Sequence, residues 1–235
     1  MGTNAHDFSR RNVLAGAGAA AVAITQPHSL AYAATGSTAK LFTTEMGRGK
    51  NVMLLHGWTC HSHDWSWQLP MFETKYRVVA VDLRGHGRSE VMPSGAYSPA
   101  DYVADIEGVI STKHPGQKFI IVGHSMGGQI AARLAAKPPD LVSAVVSVDG
   151  SLGFFGDAAQ VFGKTAQDLN INDPGVVAPA LFELVYDPAT DPAFRRWHAR
   201  RAQCHGTSCA SPSVRSSWEP TRSAPDRRAR RSAEA

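Results

Sequence analysis

The sequence predicts an α/β fold, a doubly wound and mostly parallel sheet, and three observations predict it. Short apolar runs without polar alternation recur between residues 51 and 148, helix-patterned segments lie between them, and glycine-punctuated turns follow several of the runs. Unbroken apolar runs suit strands covered on both faces. Strands alternating with helices imply right-handed crossovers and a parallel sheet.

The first run is Asn51-Val52-Met53-Leu54-Leu55-His56, ending at Gly57. Arg77-Val78-Val79-Ala80-Val81-Asp82 reads the same way. Ser98-Pro99-Ala100-Asp101 is a helix start, with Ser at the N-cap, Pro at N1 and an acid three residues on. After it Tyr102, Val103, Ile106, Val109 and Ile110 fall on one helical face. Phe119-Ile120-Ile121-Val122 is the next strand, Gln129–Ala136 an Ala-rich helix, and Val142–Val148 a further strand. In such sheets ligands gather at the carboxyl ends of the strands.

The 235 residues fit one domain, and an apolar share of 43% is ordinary for a globular protein. The net charge of +4 is unevenly spread: residues 1–33 carry +1 and residues 195–235 carry +7, which leaves −4 for residues 34–194. The basic pI therefore belongs to the tail, and nucleic-acid binding is not expected. Cys60, Cys204 and Cys209 match no zinc or redox spacing and read as unrelated thiols.

Four segments follow. In residues 1–33, Ser9-Arg10-Arg11-Asn12 precedes a mild apolar run, Val13–Ile24, and then Ala31-Tyr32-Ala33. A basic start, a short apolar stretch and an A-x-A site make a signal peptide, and the paired arginines resemble the twin-arginine type. Val13–Ile24 is too short to span a bilayer, which needs roughly 20 residues. Cleavage after Ala33, export to the periplasm or medium, and no membrane span thereafter are the expectations. Residues 34–151 are the α/β core, and 152–194 are a cap-like helical segment with Val176, Val177, Leu181, Phe182, Leu184 and Val185. Residues 195–235 form a basic low-complexity tail. It holds no Leu, Ile, Met or Phe and one Val, so disorder is expected.

The chemistry is concentrated in Gly123-His124-Ser125-Met126-Gly127-Gly128, a G-x-S-x-G turn between a strand and a helix. A chain that turns this sharply strains the nucleophile's backbone, and side chains at Gly123 and Gly127 would collide with neighbouring elements. The turn lifts the Ser125 hydroxyl above the sheet, and the helix behind it favours negative charge nearby. His56-Gly57-Trp58 closes the first strand, and Asp82-Leu83-Arg84-Gly85-His86-Gly87-Arg88-Ser89 follows the second. His61-Ser62-His63-Asp64 has an H-x-H form, but Trp65-Ser66 follows where a metallo-hydrolase would want a further Asp-His pair. It reads as a loop near the pocket mouth, and no metal is expected.

On these motifs, with Trp65-Ser66-Trp67-Gln68, residues 51–151 resemble the N-terminal half of the α/β-hydrolase family, in its esterase, lipase and non-metal haloperoxidase branch. The resemblance covers about 100 residues strongly and extends more loosely to roughly 190. It implies a Ser125 nucleophile, an oxyanion hole made by the backbone N–H groups of Met126 and Trp58, a structural His56, a structural Asp82–Ser89 turn and no cofactor. Asp nucleophiles, as in epoxide hydrolases and haloalkane dehalogenases, are disfavoured by Ser at 125. The family order is Ser, acid, His. Asp149, at the end of the Val142–Val148 strand, is the acid that can be placed. Only His198 and His205 follow Ser125, and neither follows a strand-like segment, so no triad His is assigned.

The last strands of the family sheet are therefore expected to be lacking, with a frameshift near residues 195–200 as the expected cause. The expected function is hydrolysis of a small-molecule carboxylic ester through a Ser125 acyl-enzyme. An inactive remnant without its His, and a cofactor-free haloperoxidase or C–C bond hydrolase, are the alternatives.

Overall fold

The computed structural model describes residues 36–93, 96–137, 141–150 and 156–209. The export signal expected over residues 1–33 lies outside them. Five strands form one sheet in the order β1-β3-β2-β4-β5: β1 Thr43–Met46, β2 Lys50–Leu55, β3 Tyr76–Val81, β4 Phe119–His124 and β5 Val142–Val148. Strand β1 runs antiparallel to β3, and the other pairings are parallel. The helices are α1 Leu69–Phe72, α2 Pro99–Lys113, α3 Met126–Ala135, α4 Gly156–Ile171, α5 Pro174–Glu183 and α6 Pro192–Cys209.

The apolar runs are unbroken because successive residues serve opposite faces. Met53, Leu55, Val79, Val81, Phe119 and Ile121 pack on one side with Ile106 and Ile110 of α2 and Ile130 and Leu134 of α3. Val52, Leu54, Val78, Ala80 and Val122 pack on the other with Trp65. Each such side chain contributes about 1.5–3 kcal/mol when fully buried. Helix α2 starts as the sequence predicts: the Ser98 side chain accepts from Asp101 N–H, and Asp101 accepts from Ser98 N–H at 2.8 Å.

The Asp82–Ser89 turn is structural, as expected. Asp82 accepts from Ser62 N–H at 2.7 Å and Arg88 N–H at 3.0 Å, which ties the turn to the pocket-mouth loop. Burial opposes the Asp82 charge, but the bonds from Ser62 and Arg88 together outweigh it and hold the carboxyl below its usual pKa. Arg84 is fully buried, donates to Asp105 at 2.6 and 2.7 Å and to Ala96 O at 2.6 Å, and so locks the turn to α2.

Two expectations are corrected. Strand β5 was expected to be covered on both faces, yet six of its seven residues are exposed, Val146 by 46% and Val148 by 40%. Among the described residues it is the outer strand of the sheet, paired with β4 and left largely uncovered. The tail was expected to be disordered from residue 195, yet α6 runs across that boundary to Cys209. Pro192 stands at its start, and the Asp191 carboxylate accepts from Ala193 N–H at 2.6 Å. Ala and Arg, which dominate the segment that follows, are strong helix formers. Residues 210–235 lie outside the described residues.

Candidate active site

Strand β4 delivers the chain to Ser125, which stands at φ 50° and ψ −114° before α3 begins at Met126. This is a region that residues with a Cβ avoid, and holding it costs of order 1–3 kcal/mol. The surroundings fix it. Ser125 N–H donates to Val148 O at 3.1 Å, and Gly128 N–H donates to Ser125 O at 3.0 Å. The predicted collisions are present: a Cβ on Gly123 would lie 2.2 Å from Gly127 O, and one on Gly127 would lie 2.4 Å from Leu55 O.

The loop after β2 lies against this turn. A Cβ on Gly57 would stand 2.9 Å from His124 Nδ1 and 3.2 Å from the Ser125 Cβ. Next comes Trp58, whose indole N–H is buried and has no hydrogen-bond partner among the described residues. Thr59 is at φ 60°, and Cys60 N–H closes the turn onto Gly57 O at 3.2 Å. His56 is fully engaged in holding it. Its Nε2 accepts from Leu83 N–H at 2.9 Å, so its Nδ1 carries the proton and donates to Gly57 O at 2.7 Å. Burial, reinforced by His86, keeps the ring neutral with a pKa well below the ordinary imidazole value.

The His61–Asp64 cluster is a cap on a short 3-10 turn, Ser62–Trp65: His61 Nδ1 accepts from His63 N–H at 3.2 Å, and Asp64 accepts from His61 N–H at 2.9 Å. Asp149 follows β5 at φ 47° and acts electrostatically on His124, whose pKa burial lowers and Asp149 partly restores. Among the described residues no hydrogen bond joins Asp149 to an imidazole.

Sequence reasoning left His198 unplaced, and it did not see the residues that place it. Phe182 of α5 packs against Trp58 with ring centroids 6.2 Å apart and against His198 of α6 at 4.4 Å. Tyr186 is hydrogen-bonded to His198 Nδ1. Burial lowers the His198 pKa, and His124 lowers it further. Arg201, one turn on, is ion-paired with Asp64 and touches Cys60 Sγ at 3.4 Å. Of these residues, only His198 and Arg201, three apart on α6, share a helical side; Tyr186 lies beyond the end of α5. Among the described residues no imidazole is hydrogen-bonded to the Ser125 hydroxyl. His205 lies on α6, with a side chain outside the described residues.

A family model described as the alpha/beta hydrolase fold matches residues 50–224. The chain belongs to that family. Within this α/β-hydrolase family it is 38% identical over 102 residues to a serine hydrolase-like protein of Danio rerio, covering 43% of this chain and 31% of the relative. It is 39% identical over 105 residues to a 2-(acetamidomethylene)succinate hydrolase of Mesorhizobium japonicum, covering 45% and 37%. The chain thus spans about a third of the length of the curated relatives it matches. The fold aligns with an esterase from Exiguobacterium antarcticum at a TM-score of 0.63 and 22% identity, covering 75% of this chain and 70% of that one.

Proposed function

We propose that the chain is a serine hydrolase acting on a small-molecule carboxylic ester. The observation that carries the reading is the strained Ser125 at the strand-to-helix turn, with the Gly57 loop packed against it. In the proposal Ser125 Oγ attacks the acyl carbon and the alcohol leaves. Water then attacks the acyl-enzyme and releases the acid. The N–H groups of Met126, first in α3, and Trp58 hold the oxyanion, where preorganised donors give most in a site that excludes water. Asp149 contributes negative charge beside His124. We also propose twin-arginine-type export with cleavage after Ala33, which the mature N-terminus of the secreted protein tests.

The direct test is labelling with a fluorophosphonate probe, beside Ser125→Ala. Labelling that vanishes in the variant supports the reading. A folded chain that never labels overturns it in favour of an inactive hydrolase-fold protein, the second reading, which the absence of any imidazole bonded to the Ser125 hydroxyl among the described residues favours.

A further inference from the structure

Helices α5 and α6 leave large apolar side chains in solvent beside arginines. Leu184, Val185, Phe194 and Trp197 are all exposed, Leu184 by 72% and Trp197 by 48%. Arg195 straps the turn after α5 to the start of α6: it pairs with Glu183 at 3.5 Å and donates to Asp187 O at 2.6 Å. Leu184 and Val185 are thereby held beside the first turn of α6. The Phe194 and Trp197 rings pack with centroids 5.5 Å apart. The Arg201 guanidinium lies 4.4 Å from the Trp197 ring centroid and is ion-paired with Asp64, which pins the indole in place.

Helix α6 carries Arg195, Arg196, Arg200 and Arg201 and no acidic residue. Arg195 and Arg201 are paired with Glu183 and Asp64. Arg196 and Arg200, four apart, are exposed on the side of the helix that carries Trp197. The acids nearest in sequence, Asp187 and Asp191, turn a carboxylate oxygen to Ala189 and Ala193 N–H. Residues 210–235, which follow α6 in the chain, add six arginines against three acids.

We propose that this face of α6 docks on an anionic lipid surface. Phe194 and Trp197, with Leu184 and Val185 beside them, enter the boundary between headgroups and acyl chains, where aromatic rings are favoured. Arg196 and Arg200 lay their aliphatic stems along that boundary and donate to headgroup phosphates, which the guanidinium fork fits. The arginines of residues 210–235 add attraction over a Debye length. A nucleic acid would meet the arginines but give Leu184 and Val185 nothing to bury in. A second copy of the chain would bring the same arginines together, like charge against like. The inference goes beyond the Ser125 reading and does not need it, since docking requires no turnover.

The test is co-flotation of the full chain with vesicles of equimolar phosphatidylglycerol and phosphatidylcholine, beside vesicles of phosphatidylcholine alone. Flotation separates bound protein from aggregate. The inference expects binding to the anionic vesicles that weakens as salt rises. It expects Arg196→Gln/Arg200→Gln to bind about 10–30-fold more weakly, at about fivefold per arginine. Trp67→Ser, at an exposed tryptophan before α1, should bind as the parent does. Brominated lipid should quench tryptophan emission in the parent, and Trp197→Phe, which keeps an apolar ring, should still float but lose most of that quenching. These exposed positions leave the fold intact, which an unchanged melting transition checks. Failure to float with anionic vesicles at low salt overturns the inference. So does undiminished binding by the double arginine variant, quenching that survives Trp197→Phe, or displacement from vesicles by a stoichiometric RNA.

Discussion

The Gly57 backbone lies against the Ser125 and His124 side chains: a Cβ on Gly57 would stand 3.2 Å from the Ser125 Cβ and 2.9 Å from His124 Nδ1. Gly57→Val should therefore push the loop off Ser125, the proposed nucleophile, without unfolding a core that lies below it. A displacement near 1 Å at a reacting group is worth about 10²-fold in rate. Turnover of a p-nitrophenyl ester should fall by that order, while the melting transition moves little.

The elbow glycines give a contrast in stability. A Cβ on Gly127 would meet backbone, Leu55 O at 2.4 Å, which cannot swing aside, whereas a Cβ on Gly163 of α4 meets nothing within 4 Å. Gly127→Ala should destabilise by about 1–3 kcal/mol, as overpacking does. Gly163→Ala should stabilise by about 0.5–1 kcal/mol through helix propensity. Urea denaturation of the two variants beside the parent checks both signs.

His56 makes stability depend on pH. Burial first, then His86, puts its folded pKa well below the unfolded value of about 6.5. Below about pH 6.5 the unfolded chain takes up a proton that the folded chain refuses. The stability present above that pH is therefore lost as the pH falls. His56→Gln can still bridge Leu83 N–H and Gly57 O, so its denaturation midpoint should drop less between pH 7 and pH 5.

Among the described residues strand β5 is an exposed apolar edge, and such edges template association. Val146→Lys places a charge on it at a residue that is 46% exposed. Light scattering at rising concentration should show less aggregation, with a change in stability within about 0.5 kcal/mol. Equal aggregation in the variant would put the sticky surface elsewhere.

What was legible in the sequence was local. Strands β2, β3 and β4 have enough unbroken apolar residues to declare both faces covered, and Ser98 and Asp101 declare a helix start three residues apart. The Ser125 turn was legible because its glycines answer contacts made within a few residues and against the adjacent β2. Strand β1 was missed because Thr43-Thr44-Glu45-Met46 is polar: it is an outer, antiparallel strand, and Glu45 pairs with Arg77 in solvent. In β5 and α6 composition misled in opposite directions. Apolar residues show what a strand can bury and not whether a neighbour covers it, and Arg-rich text lacks a core yet holds a helix by propensity. The packing of His198 on Phe182 had no local trace, since it joins α6 to α5 and, through Trp58, to the loop after β2.

The Ser125 amide is hydrogen-bonded to Val148 O, the last carbonyl of β5. Ser125 is thus suspended from an outer strand of the sheet that the described residues form, and local opening is easiest where few buried contacts hold an element. Each time the end of β5 frays, Ser125 loses the bond that helps hold its unfavourable backbone angles and can relax toward ordinary ones. The protection of that single amide against hydrogen–deuterium exchange then measures how much of the time the elbow is cocked. A ligand or partner that tightens β5 would raise the population of the strained Ser125 conformation without touching that turn itself.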